Sequence, residues 1–173
     1  LTATVLNPEG DTGSDLHASS VTIAFEFGEF QYLTTGDAES DVEDRMIDDW
    51  NAKLETDAYQ AGNHGSSTSS TEPLIEAVDP SIAVISSDYD SQYGHPNDET
   101  LERFADLNIE TYWTGVHGDI VLTTDGESTD VRTESEFSTD PLDILDETPN
   151  DDSDTETQQI TVDAFDVAPT PLA

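Results

Sequence analysis

The stretch Tyr32-Leu33-Thr34-Thr35-Gly36-Asp37-Ala38-Glu39 decides the fold of this chain. Its first half is a β-rich apolar run, which predicts a strand. Gly36 then lets the backbone turn sharply, so that the following carboxylate points into a site at the rim of a sheet. We therefore expect Asp37 to lie at a functional edge of the fold.

Two further motifs place histidines just beyond apolar runs. They are Gly-Asn-His-Gly-Ser-Ser at 62–67 and Tyr-Gly-His-Pro at 93–96. Because imidazole and carboxylate groups are common ligands of divalent metals, Asp37, His64 and His95 are candidate metal ligands. Ser66 and Ser67, which follow a glycine, are candidates to offer backbone N–H groups to a phosphate oxygen of a substrate.

Each candidate has a plainer interpretation. Asp37 could cap the helix that follows it, and His64 could be an ordinary polar loop residue. Three roles remain open for His95: metal ligand, hydrogen-bond partner of a substrate phosphate, or turn cap. His117 is predicted to lie in a hairpin turn, and His17 has no supporting neighbours in the sequence, so neither is assigned a role.

The charge of the chain is strongly acidic, with 4 Lys+Arg against 40 Asp+Glu and a formal net charge of -36. Self-repulsion of this size opposes compaction, yet the apolar residues fall in periodic runs that predict a folded domain. The Debye length shrinks to about 3 Å in 1 M salt, so the two observations together favour a halophilic protein. An acidic interaction tail fits less well, because the charge covers the whole chain.

The composition also limits the partners. Cysteine is absent, which excludes disulfides and thiolate ligands. No apolar run reaches the ~18 residues of a membrane span, so no membrane contact is expected from this chain. No basic patch is present, and a nucleic acid would have to be held through metal ions, backbone amides and hydroxyls. The chain begins at Leu1, which fits a processed or excised piece, and an extracellular or cell-surface location is favoured over the cytoplasm.

Alternating strand and helix patterns predict α/β layering over residues 1–126. Gly28-Glu29 between two β-rich runs predicts a hairpin with a type II′ turn, and Ser40 with Glu43 predicts a capping box at the next helix. The wholly apolar run 82–85 is typical of a strand that is buried on both faces. Residues 127–158 are predicted to form an acidic linker or irregular segment, although Leu142, Ile144 and Leu145 could dock. Residues 159–173 are predicted to form a terminal strand and tail.

The motifs and their order resemble a known family. In combination, from about Thr4 to Gly126, they are similar to the metallo-β-lactamase-like domain of ComEC-type competence (DNA-uptake) proteins, and especially to stand-alone haloarchaeal relatives. The residues that carry the resemblance are Val5-Leu6-Asn7-Pro8, Ser20-Val21, Leu33-Thr34-Thr35-Gly36-Asp37-Ala38-Glu39, His64-Gly65-Ser66, Ser69-Ser70, Ala83-Val84-Ile85-Ser86, Tyr93-Gly94-His95-Pro96 and Thr123-Thr124-Asp125-Gly126.

The resemblance implies that the chain is the C-terminal half of an αββα sandwich, a mixed sheet with flanking helices. It implies a divalent metal centre, zinc or manganese, that activates water. Asp37 would bridge two ions, while His64 or His95 would complete the site or contact phosphate. The implied substrate is a phosphodiester such as DNA, or a related ester, and the implied partner is the N-terminal half of the same domain.

The chain departs from this family in two ways. Asn63 stands where the family usually has the first histidine of His-His-Gly-Ser, and no segment before Asp37 supplies the main His-x-His-x-Asp-His motif. The alternative interpretation is therefore a non-catalytic fragment or degenerate domain that serves as an interaction or structural module. The chain by itself is expected to be inactive.

Overall fold

The computed structural model describes residues 1–8, 10 and 13–149. The strands in these residues are β1 (Thr2–Asn7), β2 (Thr22–Phe27), β3 (Phe30–Thr34), β4 (Ala58–Gln60), β5 (Ile82–Ile85), β6 (Glu110–Trp113), β7 (Ile120–Thr124) and β8 (Thr129–Thr133). The α-helices are α1 (Ser40–Trp50), α2 (Glu72–Val78), α3 (Asp98–Asp106), α4 (Thr114–His117) and α5 (Pro141–Glu147). No helix in these residues combines the length and the apolar character needed to cross a bilayer.

A six-stranded mixed sheet forms the centre of the fold, with the strands in the order β1-β2-β3-β4-β5-β6. The first three strands pair antiparallel, whereas β3 to β6 pair parallel. The predicted β2–β3 hairpin is confirmed, and Gly28 at its turn has a φ of 65°, as the first position of a type II′ turn requires. β7 and β8 form a separate two-stranded ribbon.

Helices bury one face of this sheet. α1, α2 and α3 each connect two neighbouring parallel strands, and right-handed crossovers place such helices on the same side. Their apolar residues join Leu33, Tyr59, Ala83 and Trp113 of the sheet in one core cluster. Burying each large apolar side chain contributes about 1.5–3 kcal/mol, so this layer supplies most of the hydrophobic stabilisation.

The opposite face of the sheet is apolar but only partly covered. On β5, Ala83 and Ile85 are buried against the helices, whereas Ile82 and Val84 on the other side are half-buried. The expectation that residues 82–85 are buried on both faces is therefore wrong for the described chain. Other half-buried residues of the same face are Ile23, Phe25 and Tyr32.

Part of the segment predicted as a linker has regular structure. β8 pairs with β7, and α5 packs against α3 and β6. The Asp140 carboxylate caps α5 by accepting the Leu142 N–H at 3.0 Å, and Ile144 is buried in the core. The expectation of an irregular segment is thus wrong for Thr129–Thr133 and Pro141–Glu147. Pairing with β7 orders the first stretch, and a helix cap with one docked apolar face orders the second. Residues 150–158 and the predicted strand and tail at 159–173 lie outside the described residues.

The capping box predicted for α1 is not formed. The buried Glu43 carboxylate instead accepts hydrogen bonds from the Ser70 N–H at 2.6 Å, the Thr71 N–H at 3.0 Å and the Thr71 hydroxyl at 2.7 Å. Burial raises the pKa of Glu43, and the hydrogen bonds to Thr71 and Ser70 and the charge of Arg103 offset part of that rise. Glu43 therefore connects α1 through hydrogen bonds to the Ser/Thr-rich loop 66–71 that precedes α2.

Glu43→Ala should destabilise the domain markedly. The substitution leaves the N–H groups of Ser70 and Thr71 without their acceptor, and each unsatisfied buried group costs about 1–3 kcal/mol. We expect the free energy of unfolding to fall by about 2–6 kcal/mol for the two groups together. Glu43→Gln keeps one acceptor oxygen and should lose less. Denaturant titrations in molar KCl measure both variants, and equal losses in the two would contradict the role of the carboxylate as an acceptor.

Candidate functional site

Asp37 and His64 meet at the edge of the sheet where β3 and β4 end. These strands are parallel, and the loops that follow the carboxyl ends of parallel strands meet at one edge, where ligands commonly bind. The Oδ1 atom of Asp37 lies 3.6 Å from Nε2 of His64. The two side chains are 55% and 57% exposed, so a ligand has open access to both.

The strand end of β5 sets the tautomer of His64. Its Nδ1 atom lies 2.8 Å from the carbonyl oxygen of Ser86. A carbonyl oxygen only accepts, so Nδ1 carries the proton, and in the neutral imidazole Nε2, the atom that faces Asp37, is the one with the lone pair. Metal-binding histidines usually have this arrangement, with the second ring nitrogen bonded to a carbonyl or carboxylate.

The backbone around His64 is strained. Asn63 and His64 have φ values of 46° and 59°, a region that costs a non-glycine residue about 1–3 kcal/mol and is enriched at functional sites. The Asn63 N–H donates to the Gly36 carbonyl at 2.8 Å, which ties this turn to the one that carries Asp37. The Asn63 amide lies 3.5 Å from the Thr68 hydroxyl instead of facing the site. The second position of the motif, His64, is thus the one that faces Asp37.

The loop before β2 holds Asp37 in place. The Asp37 N–H donates to the Ser20 hydroxyl at 2.7 Å, and a Cβ at Gly36 would lie 2.5 Å from that oxygen. Gly36 also has a φ of 56°, so the close approach and the conformation both require glycine. The N-cap of α1 is Glu39, and the helix-cap alternative for Asp37 is therefore not observed.

Asn7 anchors that loop from the end of β1. The buried Asn7 amide donates to the carbonyl oxygens of Ala18 and Ser20, and its side-chain oxygen accepts from the Arg45 guanidinium of α1. Removing the Asn7 side chain would leave its three hydrogen-bond partners unsatisfied, which destabilises the fold. Asn7 therefore connects the edge strand, α1 and the turn at Asp37, although the sequence offered only a motif match at this position.

His17 lies beside Asp37, although the sequence gave it no role. Its Nδ1 lies 2.9 Å from the Asp37 carbonyl oxygen and 3.8 Å from a Glu39 carboxylate oxygen. The hydrogen bond to the Asp37 carbonyl, followed by the charge of Glu39, raises the pKa of His17. No local motif marks this histidine, because its neighbours come from a turn 20 residues further along the chain.

His95 lies next to the Asp37–His64 pair without joining it. His95 and His64 line the same open cavity of about 420 Å³. Partial burial, followed by the charge of His64, lowers the pKa of His95, which favours its neutral form. This position suits a contact with a bound substrate, one of the three roles that the sequence left open.

The described residues do not form a complete metal site. Among residues 1–8, 10 and 13–149, no group of three or more His, Cys, Asp or Glu side chains is placed to hold a metal ion. The predicted set of Asp37, His64 and His95 is therefore reduced to the pair Asp37–His64. One imidazole nitrogen and one carboxylate are donors that suit zinc or manganese, and the pair fits such an ion as a partial ligand set.

The backbone amides expected to bind phosphate are already engaged. The Ser66 N–H donates to the Asn63 carbonyl at 3.0 Å, and the Ser67 N–H donates to Oδ1 of Asn97 at 2.8 Å. Ser66 is also nearly buried. This geometry argues against the expectation that these two amides cradle a phosphate, because each would first have to give up an internal acceptor.

His117 is buried within α4 and does not lie in the predicted hairpin turn. The Trp113 backbone N–H donates to Nδ1 of His117 at 3.0 Å. The His117 ring packs between those of Tyr112 and Phe137, with ring centroids 5.4 and 5.9 Å apart. The turn prediction is wrong because Thr114–His117 form a short helix that ends at Gly118. His117 has a packing role here, away from the Asp37–His64 pair.

Three curated proteins are similar to this chain. ComE operon protein 3 of Bacillus subtilis (strain 168) is 28% identical over 116 residues, 67% of this chain and 15% of that protein. Competence protein ComA of Neisseria gonorrhoeae is 29% identical over 113 residues, 65% of this chain and 16% of that protein. The chain is a relative of ComEC-type competence proteins. Recombination protein 2 of Haemophilus influenzae is also 29% identical, over 116 residues that are 67% of this chain and 14% of that protein.

The similarity covers only a small part of each relative. The matched region is 14% to 16% of the length of these proteins, about one-seventh of each. No family model matches the chain. The similarity therefore relates this chain to one region of the competence proteins.

Proposed function

We propose that this chain is the C-terminal half of a halophilic, metal-dependent hydrolase with a metallo-β-lactamase fold, which cleaves phosphodiesters such as DNA in a competence-related role. The observation that carries the proposal is the 3.6 Å approach of the Asp37 carboxylate to the Nε2 atom of His64 at an exposed sheet edge. The similarity to ComEC-type competence proteins supports the competence role.

Each residue of the site has a role in this proposal. The Asp37 carboxylate and Nε2 of His64 would be ligands of a divalent ion, zinc or manganese. The Ser86 carbonyl keeps the imidazole in the required tautomer. His95, in the cavity it shares with His64, contacts a phosphate oxygen of the substrate. Bound divalent ions would supply Lewis acidity and a nucleophile at neutral pH.

The partly covered face of the sheet supports the proposed partner. Parallel sheets in proteins are normally covered on both faces, but here α1, α2 and α3 cover only one. Ile82 and Val84 of β5 are half-buried on the other face. We propose that the N-terminal half of the same domain packs on this face and supplies the remaining metal ligands.

A second candidate is a non-catalytic interaction or structural module. Its support is that only two ligands converge among the described residues and that Asn63 stands in the place of a histidine usual in the family. The two candidates differ in a measurable way. Adding the N-terminal half should create metal-dependent hydrolysis if the chain is part of an enzyme, and should create none if it is a module.

The purified 173-residue chain alone should not hydrolyse nucleic acid. Two convergent ligands do not close a dinuclear site, so we expect weak binding of one Zn²⁺ or Mn²⁺ ion and no turnover. A fluorescent oligonucleotide in molar KCl with either ion measures cleavage, and EDTA provides the background. Robust metal-dependent cleavage by the isolated chain would show that the site is complete without its partner.

A further inference from the structure

Two exposed tyrosines lie beside the candidate site, in the loop between β5 and α3. Tyr93 is 72% exposed and Tyr89 is 39% exposed. Together with His95 they line a cavity of about 550 Å³. Tyr93 and His95 also line the neighbouring cavity that His64 borders. The ring of Tyr93 therefore shares a cavity with His64, and both tyrosine rings are open to solvent.

Local contacts hold this loop in shape. The Gly94 N–H donates to the Ser91 carbonyl at 2.9 Å, and the Asn97 amide donates to the Gly94 carbonyl at 3.0 Å. The ring of Tyr89 stacks on that of Trp113, with centroids 5.8 Å apart and an interplanar angle of 16°. The ring of Tyr93 lies 5.9 Å from that of His95. Because the rings are already positioned, a flat ligand would bind them with little loss of conformational entropy.

The charges around this cavity exclude recognition of a phosphate backbone by cations. The chain has only four Lys and Arg residues, and none of them lines the cavity. Its charged side chains are those of Asp90 and Asp98. Binding through counterion release needs Lys or Arg contacts, whereas stacking on an aromatic face needs none. Carboxylates also accept hydrogen bonds from the exocyclic amino groups of bases.

We infer that Tyr93 and Tyr89 form a stacking platform for an unpaired base of single-stranded nucleic acid. This inference rests on the proposed phosphodiesterase function, for which it specifies the substrate. A base on the platform would place the adjoining phosphodiester towards His95 and the Asp37–His64 pair. Since every base has a π-face, the platform would accept any base, and since no cation is involved, it would keep its affinity in molar salt.

Binding of a short fluorescein-labelled single strand to the 173-residue chain tests this inference. Anisotropy is measured in molar KCl with EDTA, so that hydrolysis plays no part. Tyr93→Leu should weaken binding by about 5- to 150-fold, which corresponds to about 1–3 kcal/mol per stacked base. Tyr93→Phe keeps the ring and should bind as the wild type does. Tyr89→Leu, a second variant in the same platform, should also weaken binding.

Phe27→Leu is the matched control, because it removes a ring that is 42% exposed at the opposite end of the strands. It should leave binding unchanged. Circular dichroism checks that each variant is folded. Equal affinities of the wild type, Tyr93→Leu and Tyr89→Leu would overturn the inference. Tighter binding of the duplex than of the single strand, or displacement of the strand by a neutral oligosaccharide, would overturn it as well.

The outcome is separable from that of the proposed function. Loss of binding in Tyr93→Leu would stand even if the protein joined to its N-terminal half showed no hydrolysis. Conversely, hydrolysis could be lost in Asp37→Asn while Tyr93→Leu binds the single strand as tightly as the wild type. That result would uphold the proposed function and reject only the stacking platform.

Discussion

Asp37→Asn, in a protein that joins this chain to the proposed N-terminal half, should nearly abolish turnover. The amide removes the negative charge and one strong oxygen donor from the only carboxylate that faces His64 across 3.6 Å among the described residues. Loss of a group that merely orients a metal ligand costs about 10- to 100-fold in metal affinity or activity. Loss of a ligand itself should lower metal affinity or activity by more than about 100-fold. Metal content and hydrolysis rate on the same preparation measure both effects.

Two further variants serve as controls for that result. His64→Ala should also lose metal, because it removes the Nε2 lone pair next to Asp37. His95→Ala should keep the metal and raise the substrate concentration needed for half-maximal rate, since His95 lies in the cavity beside the pair. A helix-capping role of Asp37 would instead give a stability loss of about 1 kcal/mol with the chemistry intact. Full metal content and full activity in Asp37→Asn would reject the metallohydrolase proposal for this site.

Lowering the salt concentration should unfold or loosen the domain. The chain has 40 acidic residues against 4 basic ones, and among the described residues a single Arg–carboxylate ion pair, between Arg132 and Asp130, is formed at 2.9 Å. Most carboxylates are thus without a cationic partner. The Debye length grows from about 3 Å at 1 M to about 30 Å at 0.01 M salt, so repulsion that is short-ranged in molar KCl would act across the whole domain.

Circular dichroism and thermal melts over a KCl series measure this effect. We expect the melting temperature to fall steadily and the helical signal to decrease at low-millimolar salt. NaCl at equal ionic strength is the control, because screening depends on ionic strength and not on the identity of the cation. A spectrum and melting temperature that are the same in molar and low-millimolar salt would refute the halophilic interpretation.

The strands and the Asp37–His64 contact were predictable because their signals are local. The Gly28 turn, the apolar runs of β2 and β3 and the glycine before Asp37 all lie within one stretch of sequence. Parallel strands then bring their carboxyl ends together, so two loops that are distant in sequence share an edge. Local periodicity and one rule of sheet geometry were sufficient for this part of the site.

Several of the errors involve groups whose partners lie far away in sequence. Glu43 has the spacing of a capping box, but a buried carboxylate is more stable with the three donors of Ser70 and Thr71. His17 meets Asp37 through a loop that Asn7 anchors from the end of β1. The acidic segment before Glu147 is folded because Ile144 finds a place in a core formed earlier in the chain. Such choices depend on tertiary packing, which no window of sequence contains.

The hydrogen bonds of Asn7 couple the edge strand β1 to the position of Asp37. Among the described residues β1 pairs only with β2, and an edge strand with one neighbour is easier to detach than a central strand. Detaching it would remove Asn7 from Ala18, Ser20 and Arg45, and the loop that holds Asp37 would lose its support. A partner that pulled β1 away from β2 would therefore change the position of Asp37 without touching it.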